Sequence, residues 1–194
     1  MGGETDGTAN PVNEAFEAVL GLPAWSVAKG HGSFLDLHFG EPILSIGEPR
    51  LAPLFIEGAP SRTLRRKATV HGQWHLWIYC CFWSVRLSGV QLAHCESDDI
   101  TIARTMSLVN GQALTSVQVD PTHGRSSFNF DLGCVLDTWP APDGTYEDEP
   151  VVQWMLFLPS GEVLSYRGDG MCSRKSGDTP MGVGPWELVE NSVD

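Results

Sequence analysis

The amino-acid sequence predicts an α+β fold that is predominantly antiparallel β. We expect two similar helix-plus-β-meander units, packed into one pseudo-symmetric β-sandwich or continuous sheet. Apolar residues make up 42% of the 194 residues, which is enough for a packed core. The 21 Gly and 13 Pro residues lie mostly between short apolar runs, as is typical of turn-rich β proteins. A series of strand-like segments from Ala24 to Tyr79 also recurs, in the same order, between Gly111 and Gly170.

The first unit, residues 12–95, follows a tail at residues 1–11 whose Gly, Thr and Asn content predicts disorder. Asn13 is the expected N-cap of a short helix, and Gly21 is expected to end it. Short strands with alternating apolar residues are then expected at 25–29, 34–39 and 42–46.

A long connection at residues 47–71 carries the only basic cluster of the chain, Arg62–Lys67. Connections of this length are uncommon inside compact domains and are either functional or mobile. The stretch from Gln73 to Leu87 is almost wholly apolar or aromatic and predicts two strands, at least one of them buried on both faces. We expect this stretch to form the centre of the core, so that Trp74→Ala or Trp77→Ala unfolds the protein.

The second unit, residues 96–175, begins with a helix that runs from Ser97–Asp99 to the stop signal Asn110-Gly111. A hairpin turn is expected at Pro159–Glu162. The strands of this unit are expected at 114–119, 126–133, 152–158 and 163–166.

The two units align best at a separation of ninety residues. Matching residue types occur in the pairs Phe16 and Met106, Gly21 and Gly111, and Ser26-Val27 and Ser116-Val117. Farther along, Trp74 aligns with Trp154 at a separation of eighty residues, because the basic connection is shortened in the second unit. The pattern predicts an internal duplication whose two sheet faces pack together.

The ends and the cysteines of the chain indicate its compartment. After Gly170 the strand pattern fades, and residues 176–194 predict a loose tail in which only Trp186 and Leu188 are expected to dock. No run approaches the roughly 20 apolar residues of a membrane span, and the N-terminus lacks a secretory signal. Five cysteines without a disulfide spacing indicate reduced thiols. We therefore predict a cytoplasmic protein.

The charge of the chain indicates the kind of partner it binds. A formal net charge of −12 repels nucleic acid and attracts basic protein surfaces. Between Ser126 and Tyr166 there are seven acidic residues and no Lys or Arg. An acidic loop with an aromatic residue suits a basic partner, although a solvated loop also fits this pattern. The predicted partner-binding residues are Asp143, Tyr146, Glu147, Asp148 and Glu149.

Candidate catalytic and metal-binding residues are scattered. His71 and His75, with the nearby Cys80 and Cys81, suggest a zinc site, but no second ligand pair completes the spacing. Cys172 lies in an expected open loop without a neighbouring base, so it does not form a catalytic thiol pair. We therefore predict no catalytic residue, no metal and no cofactor.

Two segments of the second unit resemble a known class of proteins. They are Gly111-Gln-Ala-Leu-Thr-Ser-Val-Gln-Val119 with Phe128-Asn-Phe-Asp-Leu-Gly133, and Trp154-Met-Leu-Phe-Leu-Pro-Ser-Gly-Glu-Val163. Their strand pattern resembles that of uncharacterised β-rich bacterial proteins of the polymorphic-toxin immunity type. The resemblance implies an acidic cytosolic binder that blocks a partner toxin, and it transfers no functional residue.

These observations predict a non-enzymatic protein-binding module, an immunity or antitoxin protein that neutralises its partner through an acidic surface. The alternative is a small-ligand-binding protein or metal-dependent enzyme with a pocket between the two units. His31, His38 and His75 are the candidate residues of that alternative. The sequence leaves the oligomeric state open.

Overall fold

The computed structural model describes residues 10–48, 66–141, 150–180 and 183–189. Two helices and twelve strands form this part of the chain. In order they are α1 (Pro11–Glu17), β1 (Trp25–Lys29), β2 (Leu35–Gly47), β3 (Lys67–Ile78), β4 (Phe82–Leu87), β5 (Val90–His94), α2 (Asp99–Val109), β6 (Leu114–Asp120), β7 (Arg125–Phe130), β8 (Cys134–Trp139), β9 (Val152–Phe157), β10 (Glu162–Arg167), β11 (Met171–Ser176) and β12 (Glu187–Leu188).

The strands form two sheets in which every neighbouring pair is antiparallel. The large sheet has the order β1-β2-β3-β9-β10-β11-β12, and the small sheet has the order β5-β4-β8-β7-β6. This arrangement confirms the predicted α+β class dominated by antiparallel strands.

One core joins the two sheets and both helices. Phe16 of α1 contacts Phe128 of the small sheet and Trp154 of the large sheet, with ring centroids 5.9 and 5.7 Å apart. Trp154 also stacks on Tyr166 at 5.1 Å. These aromatic contacts hold the sheets together as a sandwich, because each large ring buries apolar surface against both.

The first and second halves of the chain exchange strands. The large sheet combines β1–β3 with β9–β11, whereas the small sheet combines β6–β8 with β4 and β5. Reciprocal backbone hydrogen bonds join the segments after the two helices: Gly21 N to Leu114 O, Gly111 N to Ala24 O, Ala24 N to Gln112 O, and Leu114 N to Leu22 O. The division into units 12–95 and 96–175 stays a prediction, but neither segment keeps its strands in one sheet.

The first helix and the second strand differ from their predicted bounds. Helix α1 begins three residues earlier, because the Asn10 side chain accepts the Val12 N–H and Pro11 occupies the first turn. The run at 42–46 is not a separate strand but the continuation of β2 beyond a bulge. Gly40 has a φ of +73° at this bulge, where one extra residue of β2 is accommodated.

The C-terminal part also contains more structure than its sequence pattern predicted. Residues 171–176 form β11, in which Cys172 is buried instead of lying in an open loop. Trp186 docks as expected, against the cluster of Val152, Met155 and Val163, whereas Leu188 is exposed. The prediction of a loose tail from residue 176 is therefore wrong for the described residues 183–189.

The predicted equivalence of Trp74 and Trp154 is wrong. Trp74 lies opposite Phe39, and Trp154 lies opposite Ile78 on the neighbouring strand of the same sheet. Trp154 lies on β9, next to β3 in the large sheet, and Trp83 lies on β4, next to β8 in the small sheet. Trp83 and Trp154 are both completely buried, so they form the centre of the core.

Candidate functional site

The predicted partner-binding residues lie in a part of the chain that the structure does not describe. Asp143, Tyr146, Glu147, Asp148 and Glu149 lie outside the described residues, as do Arg62 and Arg65 of the basic cluster. Their role in binding stays a prediction.

The longest two strands, β2 and β3, extend past the rest of the large sheet. β1 pairs with β2 only as far as His38, and β9 pairs with β3 only from His75 to Ile78. Residues 42–47 and 67–72 therefore pair only with each other among the described strands. We call this two-stranded extension the arm.

One face of the arm is apolar and exposed. Leu44 lies opposite Val70, and Ile46 lies opposite Ala68. The exposed fractions of Leu44, Val70 and Ile46 are 64%, 54% and 51%. Val70 is on the same side of β3 as the core residue Leu76, because alternate residues of a strand share a face. The arm therefore continues the core face of the sheet into solvent.

The opposite face of the arm is mostly polar, with Ile43 as its apolar residue. The Ser45 hydroxyl and His71 Nε2 are 2.7 Å apart, and His71 Nδ1 lies 3.0 Å from its neighbour's carbonyl, Gly72 O. Near the tip, Arg66 Nε donates to both carboxylate oxygens of Glu48 at 2.9 Å. The Ser45–His71 and Glu48–Arg66 bonds join the two sides of the arm.

Four rings form a row across the outer face of the large sheet at the base of the arm. Trp25, His38, His75 and Phe157 occupy directly paired positions on β1, β2, β3 and β9. Successive ring centroids are 5.3, 4.4 and 5.2 Å apart. The two imidazoles are thus packed between an indole and a phenyl ring, in what we call the imidazole row.

Hydrogen bonds fix the imidazoles of this row. His75 Nε2 lies 2.8 Å from Asp36 Oδ1, and the Gly72 N–H donates to His38 Nδ1 at 3.2 Å. Burial, followed by the neighbouring His75, lowers the pKa of His38 from 6.5 to about 4. His38 is therefore neutral at pH 7, and its hydrogen bond with Gly72 joins the sheet to the base of the arm.

The histidines and cysteines do not assemble into one catalytic or metal centre. His31 is exposed, and its ring centroid lies 6.4 Å from that of Phe34. No group of three or more His, Cys, Asp or Glu side chains within the described ranges is placed to hold a metal ion. Burial raises the pKa of the Cys172 thiol to about 11 and also raises that of Cys81, so both are poor nucleophiles.

A cleft lies on the small sheet, away from the arm. Its volume is about 690 Å³, and it separates the N-terminal turn of α1 from β6 and the start of β7. Its lining residues are Asn10, Asn13, Ser116–Asp120 and Arg125–Ser127. The cleft thus lies between residues assigned to the two predicted units.

Sequence reasoning missed the arm. Ile43, Leu44 and Ile46 read as an ordinary core strand, and the signal that distinguishes them is their continuity with an unusually long β2. The proximity of Asp36 and His38 to His75 depends on the pairing of β2 with β3, which the sequence pattern does not specify.

None of the helices in the described ranges is long and apolar enough to cross a membrane. The chain matches no protein-family model, no curated protein and no solved structure.

Proposed function

We propose that this protein is a non-enzymatic protein-binding module of the immunity or antitoxin kind, which neutralises a partner protein. The exposed apolar face of the arm is the observation that carries the proposal. A two-stranded ribbon is marginally stable alone in water, and exposed apolar side chains that lie together mark interaction surfaces. A partner that covers Leu44, Ile46 and Val70 removes this apolar surface from water.

The charge of the chain favours a basic partner over a second copy of the same chain. Two copies that each carry a net charge of −12 repel one another, whereas a basic protein is attracted. We infer that the apolar face of the arm supplies the buried centre of the interface. The acidic residues 143–149 supply its charged rim, where complementary charge accelerates association.

A second candidate function is favoured by the cleft on the small sheet. Its volume of about 690 Å³ falls within the range of small-molecule pockets. A ligand-binding protein or enzyme with a site between the two units is the corresponding alternative. The arm favours protein binding, because nothing in small-ligand binding requires an exposed apolar ribbon.

We also infer that the two halves are copies related by duplication, with their last strands exchanged. The reciprocal hydrogen bonds between residues 21–24 and 111–114 support this inference, as does the matching order of the two sheets. The buried residues Val12 and Phe16 of α1, with Val19 in the turn after it, recur in α2 as Ile102, Met106 and Val109.

The proposal is tested with the double variant Leu44→Asp/Val70→Asp. The wild-type protein is used to capture a basic partner from the cells in which this chain is naturally made. The purified partner's affinity for the wild type and for the variant is then measured by isothermal titration calorimetry. We expect at least a tenfold loss of affinity, since each removed apolar contact is worth about 1–2 kcal/mol. Val90→Asp is the matched control, because Val90 is 64% exposed on β5 of the other sheet.

Retained affinity of the arm variant would exclude the arm as the binding surface. The triple change of Glu147, Asp148 and Glu149 to Lys tests the acidic rim in the same assay. We expect it to weaken binding most at low salt, with little change in thermal stability.

A further inference from the structure

The cleft on the small sheet follows the length of strand β6. All residues from Ser116 to Asp120 line it. Side chains of a strand alternate between its two faces, so a cavity over one face alone contacts every second residue. A cavity lined by consecutive residues is open to the strand backbone as well as to its side chains.

The outer edge of β6 has no paired strand among the described residues. β6 is the last strand of the small sheet. Its first residue, Leu114, bonds to Gly21 and Leu22, and from Ser116 onward its described partner is β7 alone. Each residue of a strand carries one backbone donor and one acceptor, and an edge strand leaves part of them available to another chain. The cleft therefore borders a row of available hydrogen-bonding groups.

The equivalent edge of the large sheet is closed by a helix. Asn110 Oδ1 at the end of α2 accepts the Val27 N–H of β1 at 3.2 Å, and Lys29 of β1 pairs with Asp99 at the start of α2. Ninety residues away, Leu20 corresponds to Asn110 and Val119 corresponds to Lys29. Neither side chain is able to make the corresponding polar bond, so these two contacts have no counterpart on β6 among the described residues.

The cleft contains an unmatched positive charge. Arg125 is exposed and makes no ion pair within the described part of the chain. Asp120, which lies opposite it on β6, has its Oδ2 2.7 Å from His123 Nδ1 instead. A carboxylate from outside the chain is the group that complements the free guanidinium of Arg125.

We propose that the cleft binds an extended peptide segment, which adds to the edge of β6 as a further strand and places a carboxylate against Arg125. Main-chain hydrogen bonds to β6 supply affinity in this binding mode, and alternate side chains of the peptide supply specificity. Val117 and Val119 offer apolar contacts, while Asn13 and Ser127 line the polar parts of the cleft. This site is separate from the arm and does not depend on the function proposed for it.

The test is a selection of phage-displayed random dodecapeptides on the immobilised full-length protein. We expect enriched peptides to share an Asp, a Glu or a C-terminal carboxylate. Synthetic versions should bind at least tenfold more weakly to Arg125→Gln and to Asn13→Trp, which fills the cleft from α1. Arg104→Gln, which removes an exposed arginine of α2, is the control and should bind as the wild type does.

Amide hydrogen exchange of the wild-type complex gives a readout that needs no variant. Exchange should slow at Ser116–Asp120 and stay unchanged at Val90–His94, the opposite edge of the same sheet. Failure to enrich any peptide would overturn the proposal. So would peptides that bind both cleft variants as tightly as the wild type, or binding without slower exchange in β6.

Discussion

At the scale of single residues, His38 connects the sheet to the arm. Its ring lies between Trp25 and His75, and its Nδ1 accepts the backbone N–H of Gly72. A protonated His38 loses this acceptor and brings a charge next to the imidazole of His75. Asp36 is the only acidic group among the neighbours that act on it, and His71 adds to the opposing effect.

We predict that acid weakens the fold through His38. Its pKa is about 4 in the folded protein, against an ordinary value of 6.5. The unfolded chain therefore binds more protons between these values, so His38 contributes stability above pH 6.5 that is lost as the pH falls towards 4. After allowance for partial exposure, the loss is about 1–2 kcal/mol.

Urea unfolding at pH 7.5 and pH 4.5 measures this effect. His38→Gln should show a smaller difference in unfolding free energy between the two pH values than the wild type does. His31→Gln, which changes an exposed histidine, should keep the full difference. An unaltered pH dependence in His38→Gln would mean that another group is responsible.

The tryptophans differ sharply in what they contribute to stability. Trp83 is completely buried, and its Nε1 donates to Ser33 O at 2.6 Å. Trp77 is half-buried against Val152, Met155 and Val163, which we call the outer cluster. We expect Trp83→Ala to cost about 3–5 kcal/mol. Trp77→Ala should cost about half as much, because less of the ring leaves contact with protein.

Chemical denaturation of the two tryptophan variants checks this order. The partial loss now expected for Trp77→Ala replaces the expectation that this substitution unfolds the protein. Equal losses of unfolding free energy would show that the outer cluster is as important to the fold as the central core.

At the scale of elements, the arm depends on the bulge that joins it to the sheet. Gly40 takes a positive φ, and the Trp25 Nε1–H donates to its carbonyl at 2.9 Å. On the partner strand, Gln73 Oε1 accepts the Glu41 N–H at 3.1 Å. The bulge is therefore held from both neighbouring strands, and it sets the direction in which the arm leaves the sheet.

Gly72 is the position where this junction tolerates no side chain. A Cβ placed there would lie 2.5 Å from Phe39 O and 2.8 Å from Trp74 O. We expect Gly72→Ala to cost about 1–3 kcal/mol and to shift the arm, since backbone atoms must move. Gly47→Ala, whose Cβ would come no closer than 3.6 Å to its neighbours, is the control.

The melting temperature and the partner affinity of the two glycine variants are the measurements. Gly47→Ala should change stability by less than about 0.5 kcal/mol. If Gly72→Ala kept both the stability and the affinity of the wild type, the junction would not fix the arm.

Sequence patterns predicted most helices and strands, but they did not predict which other elements cover the faces of those strands. The alternation in β1 and β6 was sufficient to identify them, because one apolar face is typical of a strand. β11 was missed, since Ser173, Arg174 and Lys175 interrupt its apolar pattern and its cover comes from the distant segment 183–189. The exposure of the apolar side chains of the arm was likewise not predicted, because an apolar strand has the same pattern whether or not another layer covers it.

At the scale of the whole molecule, neither half of the chain completes a sheet. The first half supplies three strands to the large sheet and two to the small sheet. Strand β3 pairs with β9, and strand β4 pairs with β8, so the central contact of each sheet joins the two halves. Because these pairings are long-range, we expect both sheets to form only when both halves are present.

Separating the chain between residues 96 and 97 tests this dependence. The cut leaves every strand intact and falls between β5 and α2. We expect each fragment alone to lack a cooperative unfolding transition as a monomer, since its apolar sheet faces remain exposed to water. Refolding the two fragments together should restore one transition and the near-ultraviolet circular dichroism of the intact protein. A fragment that folds cooperatively as a monomer would show that its strands close a sheet without the other half, and the exchange of strands would then not be required for folding.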